Sequence, residues 1–337
     1  MMPPDDGPRE KTAMAMTIRM LALVLGLGFV TTPGTAPAQD YPVRPIRFLQ
    51  GFAPGGNADV ISRLLGEELS RALGQPVVPE AHAGAGGNLA TEIAAKAAPD
   101  GHTIVLLTTG HVISAALYKS LPFDAVADLQ YVSTVSDFPF FIVVRADARY
   151  RTVADVVARA KDNPGAVTFG SAGVGTGQHL TGELFAASVG AKMIHVPFRG
   201  DSAALTGLLS GDIDFIVAPA TAISGNVAAG TLRALATSGP ARWGGWPEVP
   251  TVAETVAPAF QVLAWSGVAT ARDVPRPVVD RLNGELGRVL ALPHVRERLA
   301  ELGSTARAST PEAMTERVKT EIARWRGVID AAGIPRQ

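Results

Sequence analysis

Residues 46–73, IRFLQGFAPGGNADVISRLLGEELSRAL, form one strand–loop–helix unit that decides the fold class. Residues 46–52 predict a short apolar strand, and residues 59–73 predict an amphipathic helix. The aliphatic residues that share one face of this helix are Val60, Ile61, Leu64, Leu65 and Leu69. A glycine-rich turn joins the strand to the helix, which is typical of a parallel sheet covered by helices.

The same alternation continues along the chain. Further strands are predicted at 77–80, 103–108, 140–145, 167–170, 192–196, 215–217 and 234–237. Helices are predicted at 89–97, 152–160, 178–188, 203–210, 222–229, 276–290, 294–302 and 311–332. The strand at 140–145 crosses to a second set of elements. We therefore predict an α/β fold of two lobes, each a mainly parallel sheet flanked by helices. Lobe 1 is expected to comprise residues 39–139 and 253–337, and lobe 2 residues 140–252.

The N-terminus predicts secretion. Residues 20–30, MLALVLGLGFV, are all apolar, Arg19 precedes them, and the small-residue site Ala36-Pro37-Ala38 follows. This order is that of a signal peptide. The apolar run is about half of the roughly 20 residues that a spanning helix needs, which disfavours a permanent anchor. We expect residues 1–38 to be removed after Ala38, with Met14 or Met16 as alternative starts, leaving a periplasmic protein.

Composition excludes several classes of site and partner. The chain has no cysteine, which rules out disulfides, thiolate metal sites and a cysteine-linked lipid anchor. Its formal net charge of −1 argues against nucleic acid as a partner. Asp212 and Asp214 flank a single residue, and a turn before a strand is favoured over a glycosidase pair. The histidines show no metal-binding spacing, so no metal and no cofactor are expected: His82, His102, His111, His179, His195 and His294.

Glycine-rich loops lie where predicted strands end and helices begin. Gly55-Gly56 is one such loop, and residues 170–177, GSAGVGTG, are another. In open α/β sheets, ligands bind beyond the carboxyl ends of strands. Helix N-termini offer free N–H groups and a partial positive charge there. Two such loops, one in each predicted lobe, indicate a shared anion site, although each alone is also a common turn.

Enzyme motifs are incomplete. Residues 173–177 give G-x-G-x-G, but Gln178 does not complete a dinucleotide fingerprint. Phe169 stands where a nucleophile elbow around Ser171 requires glycine. Ser171 and His179 are close in sequence, yet the sequence offers no third group to orient the histidine. Packing is therefore favoured over nucleophilic catalysis for this pair.

The chain resembles the solute receptors of tripartite tricarboxylate transporters, also called the Bug family. Each matching motif is short, but all eight occur in family order over nearly the whole chain after residue 38. They are 41–47 (YPVRPIR), 54–59 (PGGNAD) with Arg63, 84–88 (GAGGN), 99–103 (PDGHT), 170–175 (GSAGVG) with His179-Leu180, 196–200 (VPFRG), 249–254 (VPTVAE) and 265–267 (WSG).

The resemblance implies a two-lobed periplasmic-binding-protein fold that holds an organic acid in its cleft. The carboxylate-binding residues that it implies are Gly55, Gly56, Asn57, Ala58 and Asp59 on one lobe, and Ser171, Ala172, Gly173, Thr176 and His179 on the other. Asn57 replaces a common Thr or Ser. Asp201 stands where a small hydroxyl residue is usual, so it either selects an amide or cationic group or caps the following helix.

Position along the strands adds further pocket candidates. Phe52 and Phe198 end predicted strands, and Ala218 follows another. Arg199 is expected either to pair with a distal ligand carboxylate or to form a surface salt bridge. We expect a monomeric solute-binding protein, not an enzyme, that captures a small carboxylate for a membrane permease. The alternatives are a sensor for a signalling partner and a secreted serine hydrolase using Ser171 and His179.

Overall fold

The computed structural model describes residues 1–2 and 41–337, so the predicted signal peptide and its cleavage site lie outside the described residues. Residues 41–337 form a unit of their own. Its strands are β1 (Ile46–Gln50), β2 (Val77–Ala81), β3 (Thr103–Thr108), β4 (Leu129–Arg145), β5 (Val167–Ser171), β6 (Met193–Pro197), β7 (Phe215–Pro219), β8 (Leu232–Thr237), β9 (Leu263–Ala271) and β10 (Thr305–Ala306).

Helices follow most of these strands. They are α1 (Asn57–Leu73), α2 (Asn88–Ala95), α3 (Thr109–Leu117), α4 (Val153–Asp162), α5 (Gly177–Ser188), α6 (Asp201–Ser210), α7 (Ala220–Ala228), α8 (Val252–Thr255), α9 (Arg276–Ala291), α10 (Pro293–Glu301) and α11 (Pro311–Ala331), with a short 3₁₀ turn at Ala85–Gly87. The order of strand, loop and helix is that of an α/β protein.

One long strand, β4, belongs to both halves of the fold. Its residues 129–139 pair with β9, and its residues 140–145 pair with β7 and β8. The order of the connected strands is β2-β1-β3-β9-β4-β7-β5-β6. Each half thus has its own group of strands, which confirms the predicted two-lobed α/β fold; the exact lobe bounds stay a prediction.

The sheets are mixed in direction. β1 pairs in parallel with β2 and β3, and β5 pairs in parallel with β6 and β7. Around β4 and β9 the pairing is antiparallel. The parallel strands have helical crossovers, as predicted, whereas β9 in the first sheet and β4 in the second run antiparallel to their neighbours.

Two central elements are not apparent from the sequence pattern. The residues of β9, LAWSGVATA, are almost all buried, so they lack the alternation that identifies a half-buried strand. Helix α3, TGHVISAAL, is nine residues long and buried on nearly all sides, so it has no polar face. Burial on all sides therefore concealed the two elements that complete the middle of lobe 1.

Candidate ligand-binding site

A small pocket lies at the ends of strands from both halves of the fold. Its wall is mainly apolar with a few polar groups, as is usual for small-molecule sites. The lining residues are Phe52, Asn57, Ala58, Thr108, Thr109, Gly110, Phe138, Phe140, Gly177, Gln178, Asp201, Pro219 and Ala264. A second, larger cavity shares Phe52 with this pocket.

Helix N-termini converge on the first pocket. Among the described residues, α1, α3, α5, α6 and α7 each place a first residue or an N-cap residue in its wall. The first backbone N–H groups of a helix have no partner within the helix, and the aligned peptide dipoles leave a partial positive charge there. The pocket therefore attracts anions without a basic side chain in its wall.

Capping determines which of these N–H groups remain available to a ligand. The Thr108 side chain accepts a hydrogen bond from the Gly110 N–H at 3.3 Å, which caps α3. The Thr176 side chain likewise accepts from the His179 N–H at 3.3 Å and caps α5. The N-termini of α1, α6 and α7 have no side-chain cap hydrogen bond. A side-chain cap occupies only one of the first N–H groups of a helix, and Asp201 Oδ2 accepts from the Asn57 N–H of α1, so all five helix ends keep other N–H groups that can donate to an anion.

The first glycine loop is held in shape by Asp59 and Arg63. Asp59 Oδ2 accepts from the Gly55 N–H at 3.0 Å and from Arg63 Nε at 3.0 Å. Gly55 has a φ of +83°, which favours glycine. Burial alone would raise the pKa of Asp59, but the hydrogen bonds from Arg63 and Gly55 outweigh it and lower the pKa. The D-x-x-x-R part of the motif thus shapes the loop, and Asp59 is not among the pocket residues.

Asn57 and Ala58 lie in the pocket wall, and Asn57 also contacts the other half of the fold. Its side-chain oxygen accepts a hydrogen bond from Thr221 Oγ1 of α7 at 3.0 Å. Its backbone N–H donates to Asp201 Oδ2 of α6 at 3.2 Å. The first turn of α1 is therefore joined to two helices that begin across the pocket.

The second glycine loop is supported from behind by hydroxyl and imidazole groups. Ser171 Oγ accepts from the Gly173 N–H at 3.1 Å and lies 2.6 Å from His195 Nε2. Thr176 Oγ1 donates to the Gly173 carbonyl at 2.7 Å, and His179 Nδ1 accepts from the Gly175 N–H at 3.2 Å. Neither cavity is lined by Ser171, Thr176 or His179. Their direct contact with a ligand stays a prediction.

The other predicted site residues divide between the two cavities. Ala172, Gly173, Phe198 and Arg199 line the second cavity, and Phe52 lines both. Arg199 is exposed, and within residues 41–337 it forms no ion pair, so the predicted salt bridge is not formed there. Gly55 and Gly56 do not line the pocket themselves, but they directly precede Asn57, which does. Ala218 is buried in β7, and the residue after it, Pro219, reaches the pocket.

Several pocket residues lie outside the predicted set. Thr108, Thr109 and Gly110 begin α3, which the sequence pattern does not reveal. Phe138 and Phe140 lie where β4 passes between the halves. The sequence pattern could have indicated Gln178 as a pocket residue, because it stands directly after the second glycine loop at the start of a predicted helix.

Asp201 does not cap its own helix, contrary to the capping expectation. Gly200, with a φ of +97°, is the N-cap of α6, and Asp201 is the first helical residue. Its Oδ1 accepts from Gln178 Nε2 at 2.9 Å, and its Oδ2 accepts from the Asn57 N–H. Burial raises the pKa of Asp201, although the Asn57 and Gln178 hydrogen bonds act to lower it.

A histidine pair lies beneath the second glycine loop. The rings of His179 and His195 stack with centroids 4.1 Å apart at 27°. One ring nitrogen of each histidine and a Glu183 oxygen lie within 4.8 Å of one another, which sequence spacing did not reveal. Nearly parallel rings direct their in-plane lone pairs side by side, not toward one point, and Ser171 Oγ contacts His195 Nε2. This geometry does not match a metal centre, whose ligand lone pairs converge on the ion.

A two-lobed α/β fold with helix N-termini around a pocket between its halves defines the class of solute-binding proteins. The model for the tripartite tricarboxylate transporter family receptor matches residues 61–334. The chain belongs to this receptor family, whose members include the Bug proteins and are periplasmic binding proteins.

Two curated relatives match most of the chain. A protein of Pseudomonas sp. (strain P51), named for the tcbD-tcbE intergenic region, is 37% identical over 91% of this chain and 93% of its own length. Protein BugT of Bordetella pertussis is 33% identical over 94% of this chain and 99% of its own.

Solved structures agree with the fold. Rpa4515 of R. palustris, solved with adipate, has a TM-score of 0.85 and is 29% identical in sequence. The match covers 88% of this chain and 99% of the Rpa4515 chain. The periplasmic binding protein BugD has a TM-score of 0.84 and 30% identity, and the match covers 88% of this chain and 100% of the BugD chain. MatC of Rhodopseudomonas palustris, with bound malate, has a TM-score of 0.81 and 30% identity, and the match covers 86% of this chain and 100% of the MatC chain. Within the described residues, no helix of this chain is both long and apolar enough to cross a membrane.

Proposed function

We propose that this receptor captures a small organic carboxylate in the pocket that Asn57, Gln178 and Asp201 line, and delivers it to a tripartite tricarboxylate-type permease. The observation that supports it most is the convergence of α1, α3, α5, α6 and α7 N-termini on a pocket that no described Lys, Arg or His lines. Backbone N–H groups bind carboxylates well in such a geometry. Adipate and malate in two similar proteins are ligands of the proposed chemical class.

Binding without catalysis is part of the proposal. Ser171, the nucleophile of the hydrolase alternative, has no exposed surface, and its hydroxyl contacts His195, not His179. No described carboxylate oxygen lies within 4.0 Å of a His195 ring nitrogen to orient the imidazole as a base. A sensor would use the same pocket with a different partner. We further propose that the receptor is a monomer whose lobes are divided at residues 139/140 and 252/253.

Ligand binding should stabilise the fold. A ligand at a hundredfold excess over its Kd adds about 2.7 kcal/mol to the free energy of unfolding. We expect at least one member of a panel of mono- and dicarboxylates and amino acids to raise the melting temperature in a thermal-shift assay. A panel without any shift, together with ester hydrolysis that Ser171→Ala abolishes, would favour the hydrolase alternative.

Export should remove the predicted signal peptide. We propose that the mature periplasmic protein begins at Gln39, because cleavage is expected after the A-x-A site that ends at Ala38. Intact-mass analysis of the periplasmic fraction measures the first residue directly. A mature chain that retains residues 20–30 would contradict both the cleavage site and the periplasmic location.

A further inference from the structure

The pocket wall contains one acidic side chain and no basic one among the described residues. Its wall consists of Phe, Asn, Ala, Thr, Gly, Gln and Pro residues apart from Asp201, the one described residue of the lining whose side chain ionises. Asp201 is 8% exposed, so bulk water screens its charge poorly. A ligand carboxylate would therefore be bound beside a buried carboxylate of the protein.

Both oxygens of Asp201 act as acceptors. Oδ2 accepts from the Asn57 N–H at 3.2 Å, and Oδ1 accepts from Gln178 Nε2 at 2.9 Å. Hydrogen bonds accepted at both oxygens stabilise the ionised form, because each N–H donor interacts more strongly with a carboxylate than with a neutral acid. The N-termini of α1 and α6 at which it lies also favour the negative charge.

The charge of Asp201 has no cationic partner in the protein. No described Lys, Arg or His lies within 4.0 Å of its oxygens, whereas most of the other described carboxylates near the protein core have one. An ionised carboxylate has room for about four hydrogen bonds, and two are used. A buried charge is normally paired, so the geometry leaves the counter-charge to the ligand.

We propose that Asp201 is the specificity-determining residue of this receptor and selects a carboxylate that also has a protonated amino group. The ligand carboxylate would be held by the uncapped N-termini of α1 and α7, and its ammonium group by Asp201. This inference rests on the proposed carboxylate-binding function and narrows its substrate class from organic acids to zwitterionic amino acids and their analogues.

Matched ligand pairs test the proposal. L-Aspartate and succinate share one carbon chain, as do L-glutamate and glutarate, and each pair differs by the ammonium group. We expect calorimetry on the mature protein to give at least tenfold tighter binding of the amino acid in one or both pairs. Asp201→Asn keeps the shape but removes the charge, so it should bring that ratio to about one or reverse it. Asp273→Asn, an exposed site outside the pocket, removes the same charge and should leave the ratio unchanged.

The outcomes separate this inference from the proposed function. Equal or tighter binding of the diacids by wild type, with a ratio that Asp201→Asn does not change, overturns the assignment of Asp201 while carboxylate binding stands. Failure of all four compounds and of the wider carboxylate panel overturns the proposed function and this inference together. A hydroxy acid that binds more tightly than the amino acid with the same carbon chain would also overturn it, because an uncharged hydroxyl group would then suffice in place of the ammonium group.

Discussion

Gly56→Val is expected to abolish detectable binding of every carboxylate that the wild-type receptor binds. A Cβ at this position would lie 3.0 Å from Asp201 Oδ2 and 3.5 Å from the Ala53 carbonyl, so the carboxylate would have to move. Valine adds two methyl groups beyond that Cβ, beside the N-terminus of α1. Displacement of Asp201 would break its hydrogen bond with the Asn57 N–H and separate α1 from α6. We expect Kd to rise at least a hundredfold, equivalent to about 2.8 kcal/mol.

The fold should survive this substitution. Gly56 has φ −83° and ψ 176°, an extended conformation that valine adopts readily, so backbone strain is not the cause of the effect. Gly327→Val is a matched control, because Gly327 lies on α11 with no atom within 4 Å of its would-be Cβ. Calorimetry should show wild-type affinity for Gly327→Val, and circular dichroism should show folded protein for both. Wild-type binding by Gly56→Val would mean that the Pro54–Asp59 loop is only a turn.

The two glycine loops differ in how much of their role the sequence discloses. The strand–loop–helix order predicts that Gly55 and Gly56 lie at a helix N-terminus, and α1 indeed begins beside the pocket. The same order applied to residues 170–177 places α5 correctly at the pocket. It does not reveal that the side chains of Ser171 and His179 point back into the loop, because hydrogen-bond partners such as His195 are brought there only by tertiary packing.

Asp201 illustrates the opposite limit of sequence reasoning. An aspartate before a helix is most often a cap, because its side chain can accept from the first N–H groups. Here Gly200 takes the cap position, and Asp201 instead contacts Asn57, 144 residues away in sequence. Local patterns cannot predict contacts between lobes, since those depend on how the crossing strand β4 positions one sheet against the other.

Because helix ends and not basic side chains line the pocket, its selectivity among anions depends on hydrogen-bond geometry. Lysine or arginine would attract any anion, whereas N–H groups at fixed positions bind a carboxylate only in the orientations that their hydrogen bonds allow. Thr108 and Thr176 each occupy one N–H group at α3 and α5, and Asp201 occupies the Asn57 N–H of α1, so the remaining donors are backbone N–H groups at fixed positions. Selectivity then depends on the few polar side chains in the wall, Asn57, Gln178 and Asp201.

Acid should destabilise the fold strongly between pH 6.5 and pH 4, because three buried histidines are neutral in the native state. Burial lowers the pKa of His111 to about 4, that of His179 to about 4, and that of His195 to about 3, the last also through its neighbour His179. Their ordinary value is 6.5. As the pH falls below 6.5, the unfolded chain takes up protons that the folded chain does not, so stability is lost until the folded pKa values are reached.

The expected loss is large enough to measure by urea denaturation. At pH 4.5, two units below the ordinary value, each neutral imidazole contributes a loss of about 2.7 kcal/mol. Burial raises the pKa values of Glu183 and Asp201, which offsets part of this loss in the same pH range. A net decrease of several kcal/mol in the free energy of unfolding is therefore expected for wild type. His195→Gln, which keeps a polar group near Ser171, should reduce the number of protons taken up on unfolding by about one. The free energy of unfolding should then change less steeply with pH. A free energy of unfolding that stays constant from pH 6.5 to 4.5 in wild type, with the same pH profile in His195→Gln, would contradict the assignment of His195 as a neutral buried imidazole.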